Sequence, residues 1–315
     1  MARILLTGAK GQVGSDLERV LLQKGHEVIM GTRQALDITK ADRVLSAILD
    51  GKPNAVINAA AYTNVERAES EPPLAYNVNA LGVRNIAKAC AQAHIPLIHI
   101  STDYVCANDL KREHTEEDPT EATCVYGKSK LAGEHYIIEA GCPFIIVRTS
   151  WVFGRFGRNF VKAMLAMGRE RHEIAVVSDQ LGNPTPVRPL AKAIVTMMEQ
   201  ALLPDFKDYG IYNYCGHDAT TWDEFARLIF HKANELKTIK HQVQVRSILS
   251  TEFKSKAMRP VDSRLDCTKC QQVFKLAMPY WPDYIEEVIT SFERERCGIS
   301  PVEPLEQPPV SPEVN

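Results

Sequence analysis

The sequence has almost no net charge and no long apolar run. Its 37 Lys and Arg side chains nearly balance 39 Asp and Glu, which leaves a formal charge of -2 over 315 residues. Proteins that bind nucleic acid through its phosphates need a broad basic field, so we expect no nucleic-acid partner. No stretch approaches the roughly 20 apolar residues that cross a bilayer, so we expect no membrane association.

Clustered metal ligands are also lacking. The eight cysteines and nine histidines are dispersed, and the close pair Cys267 and Cys270 has no second pair or histidines at zinc-ligand spacing. We therefore expect no metal site, and reduced thiols that pack in the core. Met1-Ala-Arg3 precedes a short apolar run and then glycines, which does not fit a signal peptide. The expected location is the cytoplasm, where thiols stay reduced.

Three glycines near the start of the chain predict a dinucleotide-binding turn. They are Gly8, Gly11 and Gly14, and they lie between a short apolar run and a helical one. Gly8 allows a tight turn, Gly11 lets backbone N–H groups approach a pyrophosphate, and Gly14 permits close packing of helix on strand. Gln12 and Val13 belong to the same predicted cofactor-binding segment.

Apolar strand-like runs alternate with helical runs through the first half of the chain. This alternation predicts βαβ units and an α/β fold, a Rossmann-type doubly wound parallel sheet with a smaller substrate-binding lobe. The carboxyl ends of such strands meet at one edge of the sheet, where we expect the active site. The predicted strands are Ile4–Thr7, Val28–Gly31, Ala55–Asn58, Leu97–Ser101 and Phe144–Arg148.

The pattern loosens after Gly154, which predicts two parts and a tail. Residues 1–154 are mainly the dinucleotide-binding domain, and 155–298 are mainly the substrate-binding lobe, with some segments returning to the main sheet. Residues 299–315 contain prolines and almost no apolar periodicity, so we expect a disordered tail.

Tyr126 and Lys130 stand four residues apart on a predicted helix, so their side chains share a face. A phenol must lose about three pKa units, or about 4 kcal/mol, to work near neutrality, and one ammonium at about 4 Å offers that much. The alternative is a solvated helix on which such pairs are common.

The glycine turn and the Tyr-x-x-x-Lys pattern together resemble the extended short-chain dehydrogenase/reductase superfamily. Within it, five further blocks are similar to the dTDP-4-dehydrorhamnose reductase family. The resemblance implies reduction of the 4-keto group of a dTDP-linked 6-deoxysugar, most simply dTDP-4-dehydro-L-rhamnose to dTDP-L-rhamnose, for lipopolysaccharide and other cell-surface polysaccharide precursors. The blocks are residues 58–69, 101–104, 148–154, 179–185 and 259–266.

The resemblance also implies roles in catalysis. Tyr126 would donate the proton, and Lys130 would bind the nicotinamide ribose and lower the pKa of the phenol. Thr102 would hydrogen-bond the carbonyl oxygen as charge develops. The alternative for Thr102 is a hydroxyl that caps the end of its strand.

Cofactor choice is predicted from the end of the second strand. An acidic residue there would hold the ribose hydroxyls of NAD, whereas this chain has Arg33, whose guanidinium suits a 2′-phosphate. We therefore favour NADPH, with NADH possible if Arg33 is only a solvated loop residue. By resemblance, Asp37 and Ile38 contact adenine, and Ala61, Tyr62 and Thr63 line the dinucleotide.

Five further residues are substrate-binding candidates by resemblance. Asp103 would bind a hydroxyl and Tyr104 would make ring contact, although strand alternation favours only one of them pointing inward. Trp151 could stack on the sugar or pack in the core, and Arg259 could pair with the diphosphate or stay a surface cation. Gln180 belongs to a matching substrate block.

Two features depart from the family, and two questions stay open. The loop Cys106-Ala-Asn-Asp109 differs from the usual sequence beside the sugar, and Arg188 stands where a magnesium ligand would accompany Asp16, so we expect no required magnesium. A homodimer is the default expectation. An epimerase or dehydratase, or a non-catalytic regulatory subunit, remains an alternative on this fold, although Thr102-Asp103-Tyr104 lacks the Thr-Asp-Glu of dehydratases.

Overall fold

The structure is a computed structural model that describes residues 1–107 and 111–302. Most of the predicted tail, from 303 onward, and residues 108 and 109 of the departing loop therefore lie outside the described residues. Strands and helices alternate along the first half. They are β1 (Arg3–Thr7), α1 (Gln12–Gln23), β2 (Glu27–Gly31), α2 (Ala41–Leu49), β3 (Ala55–Asn58), α3 (Val65–Ala68), α4 (Pro72–Tyr76), a π-helical segment (Asn77–Gly82), α5 (Val83–Ala93), β4 (Leu97–Thr102), a 3-10 turn (Asp103–Val105), α6 (Val125–Ala140) and β5 (Phe144–Thr149).

The second half has longer helices and short strands. Its elements are β6 (Val152–Phe153), α7 (Phe160–Glu170), β7 (Glu173–Val177), β8 (Leu181–Gly182), β9 (Thr185–Pro186), α8 (Val187–Ala201), β10 (Gly210–Asn213), β11 (Thr220–Thr221), α9 (Trp222–Glu235), β12 (Gln244–Ile248), α10 (Thr268–Phe274), a 3-10 turn (Trp281–Tyr284) and α11 (Ile285–Arg296). None of the helices in the described part of the chain is long and apolar enough to span a bilayer.

Six strands form one parallel sheet in the order β10-β5-β4-β3-β1-β2. The predicted α/β class and the five predicted strands are confirmed. The order in which strands are added to the sheet reverses at β1. β2 lies on one side of β1, and β3 and the later strands lie on the other. Such a switch point opens a crevice at the carboxyl ends of the strands, where ligands bind in doubly wound sheets.

Successive residues of the buried strands supply two separate cores. Ile4 and Leu6 of β1 join the cluster that includes Leu17 of α1 and Ile194 of α8. Leu5 faces the other way and joins the cluster that includes residues of α2 and α5. This period of two buries both faces of the sheet, which explains why its strands read as continuous apolar runs.

A third core holds the second half together. Phe225 and Ile229 of α9 pack with Leu165 of α7 and Ile289 of α11 over β7 and β12. α9 begins with a capping box of Thr221 and Glu224. β10 leaves this region and pairs with β5 at the edge of the main sheet. The boundaries 1–154 and 155–298 stay a prediction.

Helix α6 contacts the sheet through a face that is mostly small or polar. Its buried residues include Gly127, Ser129, Lys130, Gly133 and Glu134. Both oxygens of the Glu134 carboxylate accept hydrogen bonds from the Arg148 guanidinium of β5, at 3.1 and 2.7 Å. The side chains of Glu134 and Arg148 are only 1% and 3% exposed, so water cannot solvate either charge and each depends on the other.

We expect Arg148→Met to destabilise the protein by about 3–5 kcal/mol, because it leaves the Glu134 carboxylate buried without its partner. Urea unfolding followed by circular dichroism measures the change. Arg246→Met is the matched control, since Arg246 and Glu173 form an exposed pair across β12 and β7. That control should cost less than about 1 kcal/mol. Equal losses in the two variants would contradict the buried ion pair as a main contact of α6.

Candidate functional site

The turn between β1 and α1 requires its glycines. Gly8 has a φ of +67°, and a Cβ there would lie 2.5 Å from backbone atoms of Ala59 and Ala60 after β3. A Cβ on Gly14 would lie 2.2 Å from the carbonyl oxygen of Gly8. These contacts bring the N-terminus of α1 to the switch point of the sheet, where its free N–H groups can bind an anion.

The side chains of Gln12 and Val13, at the start of α1, contact other parts of the protein. The Gln12 amide donates to the carbonyl oxygen of Val152 at 3.1 Å and accepts from the Asn159 amide at 2.9 Å. Val13 packs on the core of the sheet. Their side chains therefore join the turn to its surroundings, and only their backbone remains available for the predicted cofactor contact.

A cavity of about 750 Å³ opens beside the glycine turn. Arg33 lies at its rim, just after β2, and is exposed. Lys10 and Lys40 add two further cations to the lining, which the sequence did not single out because isolated lysines carry no pattern. The predicted cofactor residues that line this cavity are Gly8, Gly11, Arg33, Asp37, Ile38, Ala61 and Tyr62.

Hydrogen bonds fix the walls of this cavity. The Asp37 carboxylate accepts from the backbone N–H and the hydroxyl of Thr39, at 3.0 and 2.8 Å, and these bonds lower its pKa despite burial. The Tyr62 backbone N–H donates to the Asn79 side chain at 2.7 Å. Asn79 in turn donates to Ser129 of α6 at 3.0 Å, so the cavity wall is tied to the helix that carries Tyr126. Asn79 was missed by the sequence analysis.

The three predicted catalytic residues come together at the carboxyl end of β4. Thr102 ends that strand, and Tyr126 and Lys130 lie in the first turns of α6. The Thr102 hydroxyl lies close enough to the Tyr126 phenol to act on its pKa. The Lys130 amine donates to the carbonyl oxygen of Ile100 at 2.6 Å and lies 3.2 Å from Nε2 of His99.

Burial moves the titrating groups of this site toward their neutral forms. It raises the pKa of the Tyr126 phenol, against the lowering effect of Thr102. The predicted lowering of this pKa is therefore wrong for the structure, because the Lys130 amine is held at Ile100 and His99 instead. Burial also lowers the pKa of Lys130 to about 8, against the raising effect of Glu134.

Asp103 and Tyr104 both border Tyr126. The Asp103 carboxylate accepts from the Thr102 hydroxyl at 2.9 Å and is 2% exposed, and burial raises its pKa to about 6. The Tyr104 and Tyr126 rings meet edge to face at 5.4 Å. The expectation that only one of the two points inward is wrong, because residues 103–105 form a 3-10 turn and strand alternation has ended.

Two of the three remaining substrate candidates, Trp151 and Arg259, have protein partners. The ring of Trp151 stacks on Trp222 with centroids 3.5 Å apart, a contact that no local pattern predicts. Arg259 pairs with Glu66 of α3 at 2.7 Å. Gln180 is buried, just before β8. Their contacts with a substrate stay predictions.

The residues considered for metal or redox roles are engaged in other contacts. Asp16 pairs with Arg155, and Arg188 pairs with Glu287 at 3.2 Å. The sulfur nearest to Cys267 is that of Cys215, at 3.4 Å. Within residues 1–107 and 111–302, no three His, Cys, Asp or Glu side chains are grouped so that they could hold a metal ion.

Comparison with known proteins gives consistent matches over most of the chain. Residues 2–294 match the family described as the RmlD substrate binding domain. The dTDP-4-dehydrorhamnose reductase of Aggregatibacter actinomycetemcomitans is 39% identical over 91% of this chain and 98% of its own length.

Two solved structures share both fold and sequence with this chain. The dTDP-4-dehydrorhamnose reductase of Bacillus anthracis, in complex with NADP, is 36% identical, with a TM-score of 0.84 over 91% of this chain and 98% of its own. A dTDP-4-dehydrorhamnose reductase of Clostridium acetobutylicum is 34% identical, with a TM-score of 0.85 over the same shares, 91% and 98%.

The raised pKa of Asp103 predicts a stability penalty that grows with pH. An acid whose folded pKa lies above its unfolded pKa stays neutral in the fold while the unfolded chain ionises, so stability falls between the two pKa values. With about 6 in the fold and about 3.9 unfolded, the wild type should lose about 1.4 kcal/mol relative to Asp103→Asn from about pH 5 to about pH 7.5.

Urea unfolding of both proteins across that range measures the difference. Asp205→Asn, at an exposed position, is the control. A constant difference between wild type and Asp103→Asn would show that the Asp103 carboxyl titrates normally.

Proposed function

The chain belongs to the RmlD substrate binding domain family, and we propose that it is an NAD(P)H-dependent dTDP-4-dehydrorhamnose reductase. It reduces the 4-keto group of dTDP-4-dehydro-L-rhamnose to give dTDP-L-rhamnose, a precursor of cell-surface polysaccharides. The observation that carries the proposal is the grouping of Thr102 and Tyr126 at the carboxyl end of β4, with Lys130 one helical turn further along α6.

The chain's own residues fit a dinucleotide at the switch point. The glycine turn leaves no room for a Cβ. The lining of the adjoining cavity includes the carboxylates of Asp37 and Glu71 and four cations, Lys10, Arg33, Lys40 and Arg67. A bound nicotinamide cofactor supplies a hydride to the carbonyl carbon of the sugar. The turn and the N-terminus of α1 would hold its pyrophosphate.

Tyr126 supplies the proton. Its raised pKa keeps the phenol protonated, so it can donate to the sugar oxygen as negative charge builds there. The Thr102 hydroxyl would hydrogen-bond the same oxygen and stabilise that charge. Lys130 donates one N–H group to the carbonyl oxygen of Ile100 and has a further N–H group left. It would donate this group to the nicotinamide ribose.

Arg33 favours NADPH over NADH. Its guanidinium is exposed at the cavity rim, and its carboxylate neighbour Asp37 is already bonded to Thr39. A 2′-phosphate at this rim would meet a free cation rather than a ribose-binding acid. The Bacillus anthracis relative binds NADP, which supports this choice.

The substrate-binding residues belong to the same proposal. Arg259 would exchange the Glu66 carboxylate for phosphate oxygens, a bidentate contact that guanidinium favours. Trp151, whose ring is stacked on Trp222 and also packed against Gly182, would border the sugar beside Gln180 and Tyr104. We place the protein in the cytoplasm as a homodimer, with cofactor on residues 1–154 and sugar mainly on 155–298.

The direct test follows absorbance of NADPH, and then NADH, with purified protein and enzymatically generated dTDP-4-dehydro-L-rhamnose. Mass spectrometry and NMR identify the product. Oxidation that depends on the sugar and yields dTDP-L-rhamnose is the expected result. Cofactor binding without oxidation would overturn the reductase proposal and favour the regulatory-subunit alternative, whereas an isomerised or dehydrated sugar would indicate an epimerase or dehydratase.

Tyr126→Phe should reduce kcat by at least about 100-fold, because it removes the proton donor and leaves the ring packing. NADPH affinity, measured by fluorescence titration, should change little. Tyr136→Phe on the same helix is the matched control, since its ring lies under Arg84 rather than in the site. If Tyr126→Phe keeps near-normal turnover, the proton-donor role is wrong.

Arg33→Ala should raise the KM for NADPH about tenfold and leave that for NADH nearly unchanged, since only NADPH carries the 2′-phosphate. Steady-state kinetics with both cofactors measures the ratio. Gln34→Ala, at the exposed next residue, is the control. An equal rise for the two cofactors would contradict a phosphate contact.

A further inference from the structure

A buried hydrogen-bond chain runs beneath the site and ends on Lys130. The Thr7 hydroxyl of β1 donates to Oδ1 of Asn58 at 2.6 Å, and Nδ2 of Asn58 lies 2.9 Å from Nδ1 of His99. Nε2 of His99 lies 3.2 Å from the Lys130 amine. Thr7, Asn58 and His99 are 0% exposed and Lys130 is 2% exposed, so water does not compete with these bonds.

The buried hydrogen-bond chain fixes which ring nitrogen of His99 carries the proton. The backbone N–H of Ala60 donates to Oδ1 of Asn58 at 3.1 Å, so this atom is the oxygen and the amide NH₂ faces His99. That NH₂ is a donor, and Nδ1 of His99 must accept from it. Burial holds the pKa of His99 well below its usual range, so the ring is neutral. A neutral ring that accepts at Nδ1 carries its proton on Nε2.

An Nε2–H that points at Lys130 needs an acceptor there. An ammonium has three N–H donors and no lone pair, whereas a neutral amine has two N–H donors and one lone pair. One N–H of Lys130 goes to the carbonyl oxygen of Ile100 at 2.6 Å. We propose that His99 is a positioning residue whose Nε2–H donates to the Lys130 amine and favours its neutral form.

The other charged groups around Lys130 also affect whether its amine is charged or neutral. Glu134, one turn further along α6, favours the ammonium, but its carboxylate is bonded to Arg148 and to the Ser101 hydroxyl. The Asp103 carboxylate accepts from the Thr102 hydroxyl and is ionised above its pKa of about 6, so it is a second anion near the site. Tyr126 stays a neutral phenol. Burial and the His99 donor therefore oppose two anions, of which Glu134 is weakened by its partners.

This inference rests on the proposed function for its consequence. Each reduction removes a proton from Tyr126, which must be replaced before the next. An ammonium whose pKa is lowered to about 8 can restore it, because the phenol has a raised pKa, and the amine then regains its own proton from water near neutrality. The rate of reduction should then fall at alkaline pH as Lys130 becomes neutral.

Two substitutions at His99 separate a positioning role from packing. His99→Gln can accept from Asn58 through Oε1 and donate to Lys130 through Nε2, so it replaces both bonds. His99→Leu fills similar space without the donor. We expect Lys130 to titrate about one pH unit higher in His99→Leu than in wild type, and His99→Gln to stay close to wild type.

NMR of protein labelled with ¹³C at lysine Cε measures this titration directly, with Lys130→Met to assign the resonance. The alkaline limb of kcat in the reductase assay should shift by the same amount. In wild type, ¹⁵N shifts of the His99 ring should report the Nε2–H form, which keeps the test valid even if His99→Leu does not fold.

An Nδ1–H ring, or a Lys130 that titrates at the same pH in wild type and folded His99→Leu, would overturn the inference. Lys130 titration that shifts as expected in a protein that does not turn over dTDP-4-dehydro-L-rhamnose would support the role of His99 and contradict the proposed function.

Discussion

The site depends on how α6 is held against β4 and β5. A helix normally docks by burying an apolar stripe, but the buried face of α6 is built largely from glycine, serine, lysine and glutamate. Gly133 approaches so closely that a Cβ would lie 2.2 Å from the carbonyl oxygen of Asn79. The Glu134 to Arg148 ion pair then supplies directional bonds that apolar contacts lack. Such a contact fixes the rotation of the helix, and with it where Tyr126 and Lys130 point.

Burial is the common cause of the site's electrostatics. Taking a group out of water disfavours its charged form, so it raises the pKa of an acid and lowers that of a base. Tyr126 and Asp103 move up, and Lys130 moves down. The phenol therefore keeps its proton while the amine holds its own loosely. A proton donor and its replenishing group need these opposite tendencies, and one desolvated site provides both.

Sequence patterns predicted the features that depend on neighbours along the chain. The glycine turn, the strands and the i, i+4 pair of Tyr126 and Lys130 follow from local spacing, and the structure has each of them. Contacts between distant segments carry no such signal. Trp222 covers Trp151 from a helix about 70 residues later, and Glu66 meets Arg259 across 193 positions. Nothing near either partner specifies the other.

His99 shows why a buried polar residue is the harder case. It is a single histidine within the apolar strand Leu97–Thr102, where local reasoning favours a satisfied core side chain. In the structure, both ring nitrogens have partners. The chemical meaning of His99 comes from the identity of those partners, which β3 and α6 supply from 41 residues before and 31 after. The Asn58 amide, whose oxygen is already bonded, determines the tautomer of His99. The consequence for Lys130 therefore follows only once all four residues of the hydrogen-bond chain, Thr7, Asn58, His99 and Lys130, are in place.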